Sequence, residues 1–257
     1  MTATNRDATD DWDEHWSAQT AMNALNPAQQ YRKKLVLDAL ALRQATPPVR
    51  LLELGSGSGA FAAEAFAVRP DIEFVGLDLS EVGVGIARRR VPQASFFKQD
   101  FTAPFVLDDR YKRWATHVVC SEVLEHLDDP VAMLRNVRPL LTPGCHVVVT
   151  VPAGPMSAFD RHIGHRGHFS ADRLERTLRD AGLDVADLRG AGFPFFNVYR
   201  LAVIARGKKL IEDAAYENHS LPLTARMTVR AFSWLFRLNT QKTKLGWQLV
   251  AVGVAPS

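Results

Sequence analysis

The chain of 257 residues has only two cysteines, Cys120 and Cys145. Both sit in β-branched apolar runs with no C-x-x-C or Cys/His ligand spacing, which argues against a disulfide framework or a cysteine-based zinc site. They read as small, reduced core residues. Long apolar runs are also missing, and no stretch approaches the ~18 consecutive apolar residues of a membrane span. The acidic N-terminal segment lacks an apolar h-region, so no signal peptide is expected. The expected location is cytoplasmic, soluble or at most peripheral to a membrane. No internal repeat or low-complexity block interrupts the chain. A net charge of +3 is too small to imply nucleic acid by itself. Neither aromatic–basic interleaving nor a recognition-helix motif is present, so no nucleic-acid partner is expected.

What remains is a globular composition, 47% hydrophobic and 23% charged, enough for one α/β domain with an elaboration. Its charge is unevenly spread. Residues 1–20 hold Asp7, Asp10, Asp11, Asp13 and Glu14 against Arg6, whereas residues 198–245 hold nine Lys/Arg against Glu212, Asp213 and Glu217. Such a basic segment suits an anionic substrate, a membrane surface or plain solvent.

The pattern predicts a helix over 28–42, opened by Pro27 and closed before Pro47-Pro48. Strands are expected at 50–54, 73–77, 95–98, 116–120, 145–151, 184–188 and 244–254. Helices are expected at 59–68, 81–90, 130–140 and from Ser170 to Gly182. Short β-rich runs separated by helices imply a Rossmann-like, doubly wound α/β fold: a three-layer α/β/α arrangement whose sheet is mostly parallel with an antiparallel last strand. The expected partition is an N-terminal arm (1–27) in which Trp12 and Trp16 dock, a core domain (28–190 plus 244–257), and a helical insertion (191–243). Ligands on such sheets lie beyond the carboxyl ends of the strands.

The segment LLELGSGSGAFAAEAF (51–66) is a strand, a glycine turn and a helix start. Gly55, Gly57 and Ala60, with Asp78 after the second strand, satisfy a dinucleotide fingerprint, and an NAD(P)-dependent oxidoreductase is the alternative reading. The other parsing takes Gly55, Gly57 and Gly59 as E-x-G-x-G-x-G behind Glu53. Glu53, Asp78, Asp100 and Glu122 all fall at or near strand carboxyl ends. A row of carboxylates repels a pyrophosphate but suits a cationic, phosphate-free nucleoside. Asp100 beside Phe101 suits an adenine, one accepting from the exocyclic amine and the other offering an apolar surface. No Tyr-x-x-x-Lys pair stands where a short-chain dehydrogenase needs it.

The successive motifs LLELGSGSG, FVGLDLS, FKQD, CSEVLEHLDDP and VRPLLTPGC resemble those of class I S-adenosylmethionine-dependent methyltransferases, in the broad branch that includes quinone-biosynthesis enzymes. The resemblance covers roughly residues 30–190. It implies S-adenosyl-L-methionine as cofactor and S-adenosyl-L-homocysteine as product. By position, it implies that Gly55, Ser56, Gly57 and Gly59 approach the methionine part, that Asp78 holds the ribose and that Leu79 packs on the nucleoside. Asp100 and Phe101 would frame the adenine, and Ser121 and Glu122 would line the pocket near the sulfonium.

For a hydroxyl acceptor, a neutral histidine is the natural base. His162, His165 and His168 follow the fifth strand and His126 follows the fourth. Asp160, Gly164 and His165 match the D-x-x-x-G-H segment of the resembled branch. His165, with His126 and Asp160, is therefore the catalytic candidate; the alternative is that His165 and Asp160 only fix their loop. Glu122, Glu125 and His126 form E-x-x-E-H, which is similar to the metal set of small-RNA 2′-O-methyltransferases. Together with a later His, these groups suit Mg²⁺, Mn²⁺ or Zn²⁺. The same motif also serves relatives without a metal, and none is expected here.

In the insertion, LTARMTVRAFSWLFRL puts Arg226, Arg230, Ser233 and Arg237 on one narrow stripe, with Met227, Val229, Phe232, Trp234, Leu235 and Phe236 over the rest. Such a helix packs on the domain, covers an apolar acceptor, or contacts a bilayer or lipid-linked substrate. A small or lipid-like apolar acceptor follows, with O-methylation as the expected reaction and a metal-dependent RNA methyltransferase as the other alternative.

Overall fold

The alternation resolves into a 7-stranded sheet in the computed structural model, which describes residues 12–13, 16, 26–103, 108–207 and 223–256. Most of the expected arm and residues 208–222 of the insertion lie outside the described residues. Helix α1 (Pro27–Leu40) is capped by Asn26, whose side chain accepts from the Ala28 amide at 2.9 Å. Pro27 suits the first helical position because an amide there has no intrahelical partner to lose.

Then follow β1 (Arg50–Leu54), α2 (Ala60–Val68), β2 (Glu73–Asp78), α3 (Glu81–Arg90), β3 (Ser95–Lys98) and β4 (Ala115–Ser121). Next come α4 (Pro130–Val137), β5 (Leu141–Pro152), α5 (Ala158–His162), α6 (Ala171–Asp180) and β6 (Asp184–Ala191). The chain closes with α7 (Phe195–Arg206), α8 (Leu223–Leu235) and β7 (Gln248–Val254). The helix expected over 130–140 is shorter. Pro139 has no N–H to continue the ladder, so Arg138–Leu140 tighten into a 3-10 turn.

The strand order is β3-β2-β1-β4-β5-β7-β6, with β1 to β5 parallel and β7 antiparallel to both neighbours. Alternation along β1 builds two cores. Leu51 faces Val36 and Leu40 of α1, Phe61 and Ala65 of α2, and Val84 and Ala87 of α3. Leu52 and Leu54 face Met133 and Leu134 of α4 and Leu174 and Leu178 of α6. Each such side chain contributes about 1.5–3 kcal/mol when fully buried, which is why both faces of the sheet are covered. A third cluster joins the insertion to the domain: Tyr31 and Leu35 of α1 pack with Phe196 of α7, Phe236 and Val250. The strand order reverses between β1 and β4, and that reversal opens a crevice at their carboxyl ends.

Candidate active site

The glycine turn follows β1 because no other residue fits it. Gly55, Gly57 and Gly59 have φ of 79°, 48° and 70°, in the left-handed region. A Cβ at Gly55 would also meet Val123 Cγ2 at 2.5 Å. The Gly55 and Ser56 amides donate to the Leu77 carbonyl at 2.8 and 2.9 Å, binding the turn to the end of β2. There, the Asp78 carboxylate accepts from Gly57 N at 2.6 Å and from Ser80 N at 2.9 Å. Burial nevertheless raises its pKa, against the pull of those two amides. Leu79, beside it, is exposed.

Glu53 lies buried in β1, and its Oε2 has no hydrogen-bond partner. Burial, and then the like charge of Asp78, push its pKa well above the usual carboxylate range. Buried Ser56 Oγ likewise has no partner. An orphaned buried carboxyl, an aligned second carboxylate and a glycine turn carrying only small serine side chains fit a small cationic group carrying hydroxyls better than a phosphate.

The third strand contributes differently. Asp100 is exposed and accepts from Thr102 N and Oγ1 at 2.8 and 2.7 Å, while the Phe101 ring is buried in the core shared with Leu77 and Val123. At the end of β4, Ser121 Oγ lies 2.8 Å from Thr150 Oγ1. Glu122 follows with φ 58°, an uncommon conformation for a residue with a side chain. Its carboxylate accepts from Thr150 Oγ1 at 3.1 Å and Gln248 Nε2 at 2.8 Å, and pairs with Arg32 of α1 at 3.4 Å.

Three histidines gather across the crevice. His126 stands edge-on to His165 with ring centroids 4.7 Å apart, and His165 lies 5.5 Å from His168. His168 Nδ1 lies 3.0 Å from the Gly154 carbonyl, and His168 Nε2 lies 3.3 Å from His165 Nδ1. A carbonyl can only accept, so His168 donates through Nδ1, His165 donates through Nδ1 to His168, and His165 Nε2 keeps its lone pair. Burial, and then His126, hold the His165 pKa down at about 3. His162, the remaining histidine of this segment, ends α5.

Asp160 is fixed from two sides. Ser157 and Asp160 form a capping box at the start of α5, and Arg200 of α7 donates to both carboxylate oxygens at 3.1 and 2.8 Å. The backbone then ties His165 N to Asp160 O at 3.0 Å.

The carboxylate–histidine sets divide in a way the E-x-x-E-H spacing did not show. Glu125, His126 and His165 place ligand atoms within 4.8 Å of one another, as do Asp160, His165 and His168, while Glu122 is held by Arg32 and Gln248. Glu125 is buried with neither oxygen partnered, and burial followed by Glu122 drives its pKa well up. The arm also reaches the site. Trp12 is edge-on to His126 at 4.9 Å, Trp16 lies over Gly57 and Gly83, and Asp13 accepts from Ser80 Oγ at 2.5 Å. Arg200, Arg32, Gln248 and Asp13 were missed in the sequence because each acts on a residue distant in the chain. The Ser157-x-x-Asp160 box was a readable signal.

A doubly wound sheet with a glycine turn and carboxyl groups at the ends of β1, β2 and β4 is the setting of a nucleoside-binding site. Residues 28–188 match the model of a family described as a methyltransferase domain, and the chain belongs to that family. It is a class I S-adenosylmethionine-dependent methyltransferase. A ubiquinone biosynthesis O-methyltransferase of Xanthomonas campestris is 34% identical over 134 residues, 50% of this chain and 52% of the relative. The chain thus spans about half the length of that relative. One from Hahella chejuensis is 26% identical over 204 residues, 72% of this chain and 83% of the relative.

Among solved structures, a methyltransferase in complex with the Haloferax volcanii Trm112 activator superposes with TM-score 0.61 at 20% identity, over 96% of this chain and 98% of that one. A Haemonchus contortus N-methyltransferase bound to phosphomonomethylethanolamine and S-adenosylhomocysteine gives 0.62 at 16%, over 95% and 58%. These likenesses show the fold. No helix among the described residues is long and apolar enough to cross a membrane.

Proposed function

We propose that the protein O-methylates a small or lipid-like apolar acceptor, with the hydroxyl proton taken by His165. Glu53, Gly55, Ser56, Gly57, Gly59, Asp78, Leu79, Asp100, Phe101, Ser121 and Glu122 form the donor side. His165, His126 and Asp160 form the acceptor side. When bound, S-adenosylmethionine supplies an activated methyl on a sulfonium, so the chain's own tasks are orientation, exclusion of water and removal of one proton. The bound cofactor would supply the methyl group to the acceptor oxygen, and His165 Nε2 would take the hydroxyl proton. Asp160 and His168 keep the ring turned.

The observation that carries this reading is the Gly154–His168–His165 chain, which leaves a lone pair on a buried, neutral imidazole. The ubiquinone O-methyltransferase relatives support an oxygen acceptor. At about 3 His165 is a weak base, so the reading requires an acidic acceptor hydroxyl, a phenol near 10 and not an aliphatic alcohol. The test is turnover of His165→Gln at saturating donor with a panel of phenols. A loss of about 10²–10⁴-fold with unchanged S-adenosylhomocysteine affinity is expected, and near-normal turnover removes His165 as base.

A second reading is favoured by the unpartnered Glu125: Glu125, His126 and His165 would hold a divalent cation that orients the acceptor oxygen. Activity that survives exhaustive chelation is the outcome expected of the leading reading; loss restored by Mg²⁺, Mn²⁺ or Zn²⁺ would select the second.

A further inference from the structure

Helix α7 turns Val198, Leu201, Ala202 and Ala205 to solvent, an i, i+3, i+4, i+7 stripe that leaves its apolar side uncovered. The adjoining α8 and its 3-10 extension do the same with Met227, Ala231, Trp234 and Leu238. The two helices touch through the Tyr199 and Phe232 rings, 5.3 Å apart. Leu245 joins them at the start of α7, where its carbonyl accepts from Asn197 Nδ2 at 2.7 Å. Val198, Leu201, Met227, Trp234, Leu238 and Leu245 are each between 50% and 62% exposed. Large apolar side chains so concentrated on one part of a surface mark a contact site.

Among the described residues of these two segments the charges have one sign, and Asp38 of α1 accepts from Gln241 Nε2 at 3.4 Å. Arg206, Arg230, Arg237, Lys242 and Lys244 are exposed, and the described residues of 191–207 and 223–246 include no Asp or Glu. We propose that α7 and α8 form a docking surface for the anionic face of a lipid bilayer. A second copy of the chain is disfavoured as the occupant, because pairing this face with itself sets cations against cations. Acidic headgroups neutralise them, while Leu201 and Trp234 enter the headgroup–acyl boundary. The inference goes beyond the acceptor reading and stands on the surface alone.

The test is flotation of the full-length protein with vesicles of phosphatidylcholine, alone or in equal parts with phosphatidylglycerol. Binding to the anionic vesicles at low salt, weakened as salt rises, is expected. Arg230→Ala with Lys244→Ala should weaken it about 25-fold, at about fivefold per cation, and Leu201→Glu should abolish it. Each variant is checked for unchanged S-adenosylhomocysteine affinity by calorimetry, so a failure to bind lipid is distinguishable from a failure to fold or to hold the donor. Absence of binding to anionic vesicles, or variants that bind like the parent, would overturn the proposal. So would a dimer in light scattering that Leu201→Glu converts to monomer.

Discussion

Replacing Arg200 with Met isolates the Arg200–Asp160 ion pair that joins α7 to the histidine segment. Asp160 is 1% exposed, and burial alone would raise its pKa. The Arg200 guanidinium and the Ser157 donors outweigh burial and hold the carboxyl at about 2, against an ordinary 3.8. That difference corresponds to roughly 2 kcal/mol of folded-state stability at neutral pH. Because the folded value is the lower one, this contribution is complete above pH 3.8 and disappears as pH falls through about 2.

In Arg200→Met, the carboxylate keeps Ser157 N and Oγ at 2.7 and 2.8 Å but loses its counter-charge. Breaking a buried pair in this way costs about 3–5 kcal/mol, and the remaining Ser157 donors place the expected loss near 3. With burial now dominant, the folded pKa rises, and the sign reverses. The variant is penalised as pH rises through that value and recovers as Asp160 protonates. Urea unfolding between pH 3 and pH 7 measures both effects. A loss below about 1 kcal/mol at pH 7, or a loss independent of pH, refutes the reasoning. Adding Asp160→Asn should recover most of the stability, because no buried charge is left without a partner.

Asp78→Asn exchanges a charge-assisted acceptor under Gly57 and Ser80 for a neutral one and should weaken S-adenosylhomocysteine binding about 10–100-fold in calorimetry. Gly57→Ala adds a Cβ at φ 48°, under the Trp16 indole, and should cost at least ~1 kcal/mol in thermal unfolding together with most donor affinity. With His165 held near 3, the imidazole stays neutral throughout the physiological range, so kcat should show no acid limb near pH 6.5. An acid limb there that His165→Gln abolishes would contradict the buried, neutral ring.

The strands and the glycine turn were legible because their signals are local. Leu51, Leu52 and Leu54 make one short apolar run broken only by Glu53, and glycines at 55, 57 and 59 mark backbone no other residue adopts readily. The positions of Glu53 and Asp78 in and at the end of their strands could be read for the same reason, since strand ends follow from the pattern. Glu122 and Glu125 could not be told apart. Their difference arises from Arg32 and Gln248, 90 and 126 residues away, which partner one and leave the other buried alone. Phe101, which the sequence pairs with Asp100, packs with Leu77 and Val123, while Asp100 is exposed. Strand-end position does not report which way a side chain points once the strand has ended at Lys98.

The charges around His165 bear on what the site can accept. Asp160 is neutralised by Arg200, and Glu125 is driven toward its protonated form by burial. Burial and its neighbours keep His165 from charging. Among the described residues around His165, a positively charged acceptor would meet Asp160 already paired with Arg200 and Glu125 driven toward its neutral form, and would have to shed its hydration without replacement. An apolar molecule carrying one hydroxyl has only that group to satisfy, and His165 Nε2 is there to accept from it. A developing phenolate on the acceptor also offsets part of the lowering that burial and His126 impose on His165, because a neighbouring anion favours imidazolium. The base thus strengthens as the proton moves, and that coupling is the physical reason to favour oxygen on an apolar ring over an amine.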